Sequence, residues 1–263
     1  MKKILFLIIV SLAVWPKPLA FAAEPSKWKE DKQEHFIIYY KNAPEDFIRE
    51  VEKASEEYYQ EICENLGFHR YKGWTWDERA KIYIYDDDED YKKESSNIPW
   101  AHGVAFAEQK IIRTFPSASG FFDSVLPHEM GHIILREFIG HEAKVPLWFE
   151  EGVAMYQEKA KRWGAHKIVQ KAIADKSFVP LKDLTSFALN HNASNEAFIN
   201  LFYAEAASVV NYLINELGYQ RFVRFCRELK EGQPFDWALK SVYLRFDDIN
   251  GLNKAWMSYL ETQ

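Results

Sequence analysis

The sequence predicts an α+β fold: a small mixed sheet with its helices in the N-terminal part, followed by an all-helical lobe. Three observations predict it. Short runs rich in β-branched and aromatic residues occur before residue 116 and are bounded by turn-forming clusters. From residue 148 onward the apolar residues recur at helical spacing and no run reads as a strand. Between the two regions lies a mostly apolar segment, residues 120–138, that carries His128-Glu129-Met130-Gly131-His132.

In order along the chain, residues 35–40 (HFIIYY) read as a strand. Residues 44–66 read as a long helix with apolar positions at Phe47, Val51, Ala54, Tyr58 and Ile62. Residues 81–85 form a second strand, and residues 103–107 and 110–115 a third and fourth, joined as a hairpin through Glu108-Gln109. Asp86-Asp87-Asp88-Glu89-Asp90 lacks the alternating ligands and glycine of a Ca²⁺ loop and reads as a solvated turn. Pro127 lacks the N–H that a helix interior needs, which places a helix start or kink close to it. A proline-initiated helical segment covers residues 146–154, and further helical segments cover 153–163, 165–174, 196–217, 219–229, 235–242 and 249–260. Residues 180–184 and Asn190-His191-Asn192 mark loops between them.

Lys2 and Lys3, an apolar run from Ile4 to Trp15, and Ala20-Phe21-Ala22 together read as a secretory signal cleaved near Ala22-Ala23. The expectation is an exported protein, periplasmic or secreted, whose residues 23–263 form one domain with lobes at about 23–140 and 141–263. A retained membrane anchor is the alternative, but Pro16, Lys17 and Pro18 interrupt the run short of the roughly 20 apolar residues a span needs. Loss of residues 1–22 removes three lysines and no acid, so the formal charge moves from −6 to −6 − 3 = −9. With no basic stripe, nucleic acid is excluded as an expected partner. A content of 48% hydrophobic and 16% aromatic residues is ample for a core. Cys63 and Cys226 are too few for a thiolate metal site; they form one disulfide or remain two thiols.

Two imidazoles four residues apart on a helix project from one face a turn apart, where both reach one Zn²⁺. Glu129, directly after His128, then lies beside that ion as a general base. A catalytic zinc takes three protein ligands and keeps one position open, so a third ligand is required. His141 is a poor candidate, because the extended motif's glycine and third histidine positions hold Leu135 and Phe138. Glu151 fits better: it opens Glu151-Gly152 in a helical segment and is separated from His132 by eighteen residues. Its neighbour Glu150 reads as part of a solvated helix face. His35, His69, His102, His166 and His191 have no ligand-like spacing.

The pattern His-Glu-x-x-His, eighteen residues, then Glu within Trp148-x-x-Glu151-Gly152 resembles the gluzincin zinc metallopeptidases, the aminopeptidase-N-like group in particular. The resemblance covers about residues 81–260 and implies a zincin-like fold, one zinc ion held by His128, His132 and Glu151, and a peptide or protein substrate. It also implies a transition-state tyrosine at the head of the helix Phe202-Tyr203-Ala204-Glu205-Ala206-Ala207, which Tyr203 matches; a tyrosine merely packed in the core is the other reading. In such peptidases the edge strand of the sheet runs beside the metal and pairs with substrate, a place that residues 103–105 take here unless the hairpin is interior. The group's Gly-x-Met-Glu-Asn segment is missing. The comparable stretch reads Gly103-Val104-Ala105-Phe106-Ala107, with no carboxylate to hold a substrate amine, so an endopeptidase is expected rather than an aminopeptidase. Two other function classes stay open: a catalytically silent zinc-binding protein and a zinc amidase acting on a non-peptide or cell-wall amide.

Overall fold

The computed structural model describes residues 28–68, 73–95, 103–187 and 196–262. The expected leader, His69, His102 and the loop at 190–192 lie outside the described residues. A five-stranded mixed sheet opens the fold, with order β1-β2-β3-β5-β4. Strand β1 (Lys29–Lys32) pairs antiparallel with β2 (Phe36–Tyr40), which runs parallel to β3 (Ala80–Ile84). Strand β5 (Ile111–Thr114) is parallel to β3, and β4 (Gly103–Phe106) closes the sheet antiparallel to β5, with Gly103 opposite Thr114. The hairpin expected at 103–115 is therefore present, and β4 is an edge strand. A 3₁₀ turn over Ala107–Gln109, with Lys110 in the left-handed region at φ 53°, reverses the chain.

Helix α1 (Glu45–Leu66) buries Ile48, Val51, Ser55, Tyr59, Ile62 and Leu66. The stripe is thus displaced by one position from Phe47, Ala54 and Tyr58, which pack at its margin. Ser55 hides the pattern in the sequence: it is buried because its hydroxyl donates to the Glu52 carbonyl at 3.0 Å. Two segments expected as turn or loop are helical. Residues Asp88–Ser95 form α2, whose acidic start suits the positive end of the helix dipole; the Asp90 N–H donates to Asp87 Oδ1 at 2.8 Å, and Lys41 pairs with Asp90 at 2.8 Å. Strand β1 was also unexpected, since Lys29-Glu30-Asp31-Lys32 has no apolar alternation; it sits at the sheet edge, where charged residues face water.

A π turn over Phe121–Val125 leads into α3 (Leu126–Ile139), with Pro127 in its first turn as expected. Next come α4 (Leu147–Gln157) and α5 (Lys159–Ala174), which meet at Glu158, where the backbone leaves helical geometry at φ −82° and ψ 93°. The break thus falls six residues before the expected one, at 158 rather than 164. Helix α6 (Leu181–Thr185), started by Pro180, replaces an expected loop. Helix α7 (Glu196–Asn211) runs into a second π turn at Tyr212–Glu216, and α8 (Tyr219–Lys230), α9 (Phe235–Tyr243) and α10 (Ile249–Glu261) complete the lobe. By length and composition residues Glu196–Glu216 are apolar enough to cross a membrane, but 72% of their most apolar 18-residue window is buried inside the fold, as a core helix is. One hydrophobic core runs from Phe36 and Ile82 in the sheet through Met130 and Trp148 to Trp256. Cys63 and Cys226 are both free.

Glu205 of α7 is fully buried and accepts a hydrogen bond from the Val179 N–H at 2.9 Å, while its second oxygen has no partner among the described residues. Burial pushes its pKa up to about 8 from the ordinary 4.5, against a small opposing effect of that hydrogen bond. The folded chain therefore holds a proton that the unfolded chain releases between about pH 4.5 and 8, and stability falls as pH rises through that window. Glu205→Gln removes this dependence. Its Tm should match that of the parent near pH 4 and exceed it by several degrees at pH 8, measured by calorimetry in parallel buffers.

Candidate metal centre

Three helices build the centre, and two glycines set how closely they approach. Gly131 lies between the paired histidines on α3; a Cβ there would stand 3.1 Å from both Ala154 Cα and Gln157 Cγ on α4. Gly152 follows Glu151 on α4; a Cβ there would meet the Ala206 carbonyl oxygen of α7 at 2.4 Å. No side chain fits in the second gap. These contacts seat the face of α4 that bears Glu151 against His128 and His132 and bring the middle of α7 alongside. Arg136 and Glu150 clamp the same pair of helices: the guanidinium donates through Nε at 2.9 Å and through Nη2 to the two carboxylate oxygens. Glu150 is therefore not on a solvated face; both side chains are nearly buried and tie α3 to α4.

His128 Nε2 lies 3.1 Å from His132 Nε2 and 3.5 Å from Glu151 Oε2, and His132 Nε2 lies 3.7 Å from the same oxygen. The edge of a tetrahedron around a zinc ion with bonds of about 2.0–2.1 Å is roughly 3.3 Å, so the three atoms nearly make one face of such a polyhedron. Two imidazole nitrogens facing each other at 3.1 Å need a proton or a cation between them. The donor set, two nitrogens and one oxygen, all buried, fits a divalent metal ion.

The electrostatics follow from burial. Desolvation opposes a charge on His128, but hydrogen bonds to Glu151 and Glu158 outweigh it and raise its pKa to about 10. Desolvation holds His132 down at about 4. Glu129 is fully buried, and neither carboxylate oxygen has a partner in ordinary hydrogen-bond geometry among the described residues. Desolvation raises its pKa to about 7, opposed by His128 and by the Ala105 N–H of the edge strand above it. Strand β4 lies directly on α3 here, since a Cβ on Gly103 would stand 2.5 Å from Val125 Cγ1 and 3.6 Å from Glu129 Cγ. Tyr203 is buried in the middle of α7, two turns beyond the helix start rather than at its head as expected, and its pKa is driven well up by desolvation, then by the charges of Glu151, Glu129 and Glu158, so its ring sits within reach of the same electrostatic field.

Glu158 escaped the sequence reading. Its Oε1 accepts from His128 Nδ1 at 2.9 Å, and its other oxygen accepts from the Ser124 hydroxyl in the π turn. A carboxylate behind a metal-binding imidazole fixes the ring and its tautomer. The signal was available: Glu158 falls seven residues, two helical turns, after Glu151, and so on the same face. Of the residues read from sequence, the structure brings together His128, His132, Glu151 and Glu129, with Tyr203 near them; His141 lies on an exposed turn after α3, and His35 pairs with Glu56 at 2.6 Å on the sheet side.

A buried His-His-Glu group under the edge of a mixed sheet, with a carboxylate beside it, defines a metallopeptidase-type centre. A profile of the Peptidase MA superfamily matches residues 66–262, the whole centre included, and the chain belongs to that superfamily. No curated protein matches the chain at a significant level.

Two outcomes test this geometry. Gly152→Ala forces a methyl into a backbone carbonyl and should destabilise the fold by about 3 kcal/mol or more, read from denaturant midpoints. Glu158→Gln keeps an acceptor for His128 and loses the charge, so affinity for a divalent metal should fall about tenfold in chelator competition.

Proposed function

We propose that the protein is an exported, zinc-dependent peptidase that cleaves peptide bonds within a chain. The observation that carries this reading is Glu129: a fully buried carboxylate one residue from a metal-competent imidazole, with neither oxygen partnered in ordinary hydrogen-bond geometry among the described residues, is costly to keep for stability alone. A protein that only held zinc would gain nothing from it. His128, His132 and Glu151 hold the ion, which when bound polarises the scissile carbonyl and acidifies water. Glu129 takes the proton of the attacking water and passes it to the leaving amine. The Tyr203 hydroxyl donates a hydrogen bond to the carbonyl oxygen as negative charge develops there. The outer edge of β4, which pairs with no further strand among the described residues, adds the substrate as a strand with its backbone aligned over Glu129. With no carboxylate in residues 103–107 to bind a terminal amine, nothing on that strand selects for chain ends. Residues 1–22 direct export and are removed near Ala22-Ala23.

Glu129→Gln should retain one zinc per chain by elemental analysis and lose at least about 10²-fold in turnover on a mixed peptide library. Tyr203→Phe should lower kcat by about 10²-fold or more with little change in KM. Retained turnover in the first variant removes the general-base role. Activity that survives complete metal removal by chelator removes the metallopeptidase reading altogether.

A further inference from the structure

The edge strand beside the metal centre is attached at both ends to the helix that carries the histidines. At one end Gly103 lets β4 come down onto the start of α3, next to Val125 and Glu129. At the other, the 3₁₀ turn over Ala107–Gln109 closes on Lys110, whose backbone lies in the left-handed region at φ 53° and ψ 46°. The Lys110 side chain is nearly buried, 13% exposed, and three acceptors match its three N–H donors. They are the Glu78 carbonyl at 3.1 Å, Glu78 Oε2 at 2.7 Å and Glu137 Oε1 at 3.0 Å. Glu137 belongs to α3 and is itself held, because its second oxygen accepts from the indole N–H of the fully buried Trp74. From Glu129 to Glu137 the helix rises about 12 Å, and from Gly103 to Ala107 an extended chain covers about 13 Å, so the two attachments bracket the whole of β4.

A left-handed residue that closes a turn is ordinarily glycine or asparagine, since a Cβ is crowded there. Lysine occupies the position here, although glycine would suit the backbone better. What glycine lacks is the tether to α3. We propose that Lys110 is a positioning residue for substrate: by holding the far end of β4 against Glu137, it fixes the height of the outer edge of that strand over Glu129. The proposal rests on the peptidase reading, in which that edge pairs with the peptide backbone. A strand already held in place spares binding the cost of ordering it, whereas a strand attached only at Gly103 is ordered at the expense of peptide affinity. Lys110 acts through β4 and not on the reacting atoms.

Two variants separate the tether from the turn. Lys110→Gly keeps the left-handed backbone and removes the ammonium; Glu137→Gln keeps an acceptor for Trp74 and removes the charge. In both, amide hydrogen exchange over residues 103–106 should quicken by about tenfold or more, with exchange over α3 and zinc content unchanged. On a peptide that the parent cleaves, KM should rise by about fivefold or more while kcat stays within about twofold, a split that a general loss of stability does not produce. Unchanged exchange over residues 103–106 overturns the tether. Faster exchange with an unaltered KM overturns its role in binding substrate. A parent protein that holds zinc and cleaves no peptide overturns the peptidase reading itself, a failure seen before any variant is made, and this proposal falls with it.

Discussion

The closeness of α3, α4 and α7 is the constraint on which the centre depends. The imidazoles and the carboxylate belong to two helices, and a third supplies Tyr203. Ligand atoms 3.1–3.7 Å apart require backbones nearer than side chains of ordinary size permit. Gly131 and Gly152 remove the obstructing atoms at the two crossings. The Arg136–Glu150 pair then fixes the angle between α3 and α4 at their outer side. Packing therefore precedes chemistry here: the same apolar association that buries Met130, Trp148 and Ala206 sets the distances at the metal centre.

That burial carries an electrostatic load. Glu129, Glu151 and Glu158 with two imidazoles are withdrawn from water into one small volume. Hydrogen bonds from His128 and Ser124 relieve Glu158, and the facing imidazoles partly relieve Glu151. Glu129 has less relief: the charge of His128 and the Ala105 N–H oppose its desolvation, yet its pKa is still raised to about 7. A divalent cation at the centre would offset the same accumulation of negative charge, coupling metal binding to stability.

The sequence disclosed the centre better than it disclosed the fold around it. His128, His132 and Glu151 share a spacing that follows from helix geometry, so their grouping could be read without a structure. The α+β division was also legible, because strand-like runs and helical stripes occupy different halves of the chain. What stayed hidden was set by tertiary partners. Strand β1 is charged and exists only because β2 offers an edge. Helix α2 begins in an acidic run that reads as a turn until its side chains are seen capping amides and meeting Lys41. Glu150 and Glu151 are adjacent carboxylates that look alike in sequence; the position of Arg136 on a neighbouring helix separates their roles. Glu158 was missed although it lies two helical turns after Glu151: its partners His128 and Ser124 sit thirty and thirty-four residues earlier, and the spacing alone does not say what that face meets.

The junction at Glu158 does more than interrupt a helix. It is the point where α4 ends, α5 begins and the π turn before α3 makes contact, and the residue there grips the rear of His128. The orientation of that imidazole is therefore set where two helices meet, and it depends on the packing of α5 as well as on that of α4.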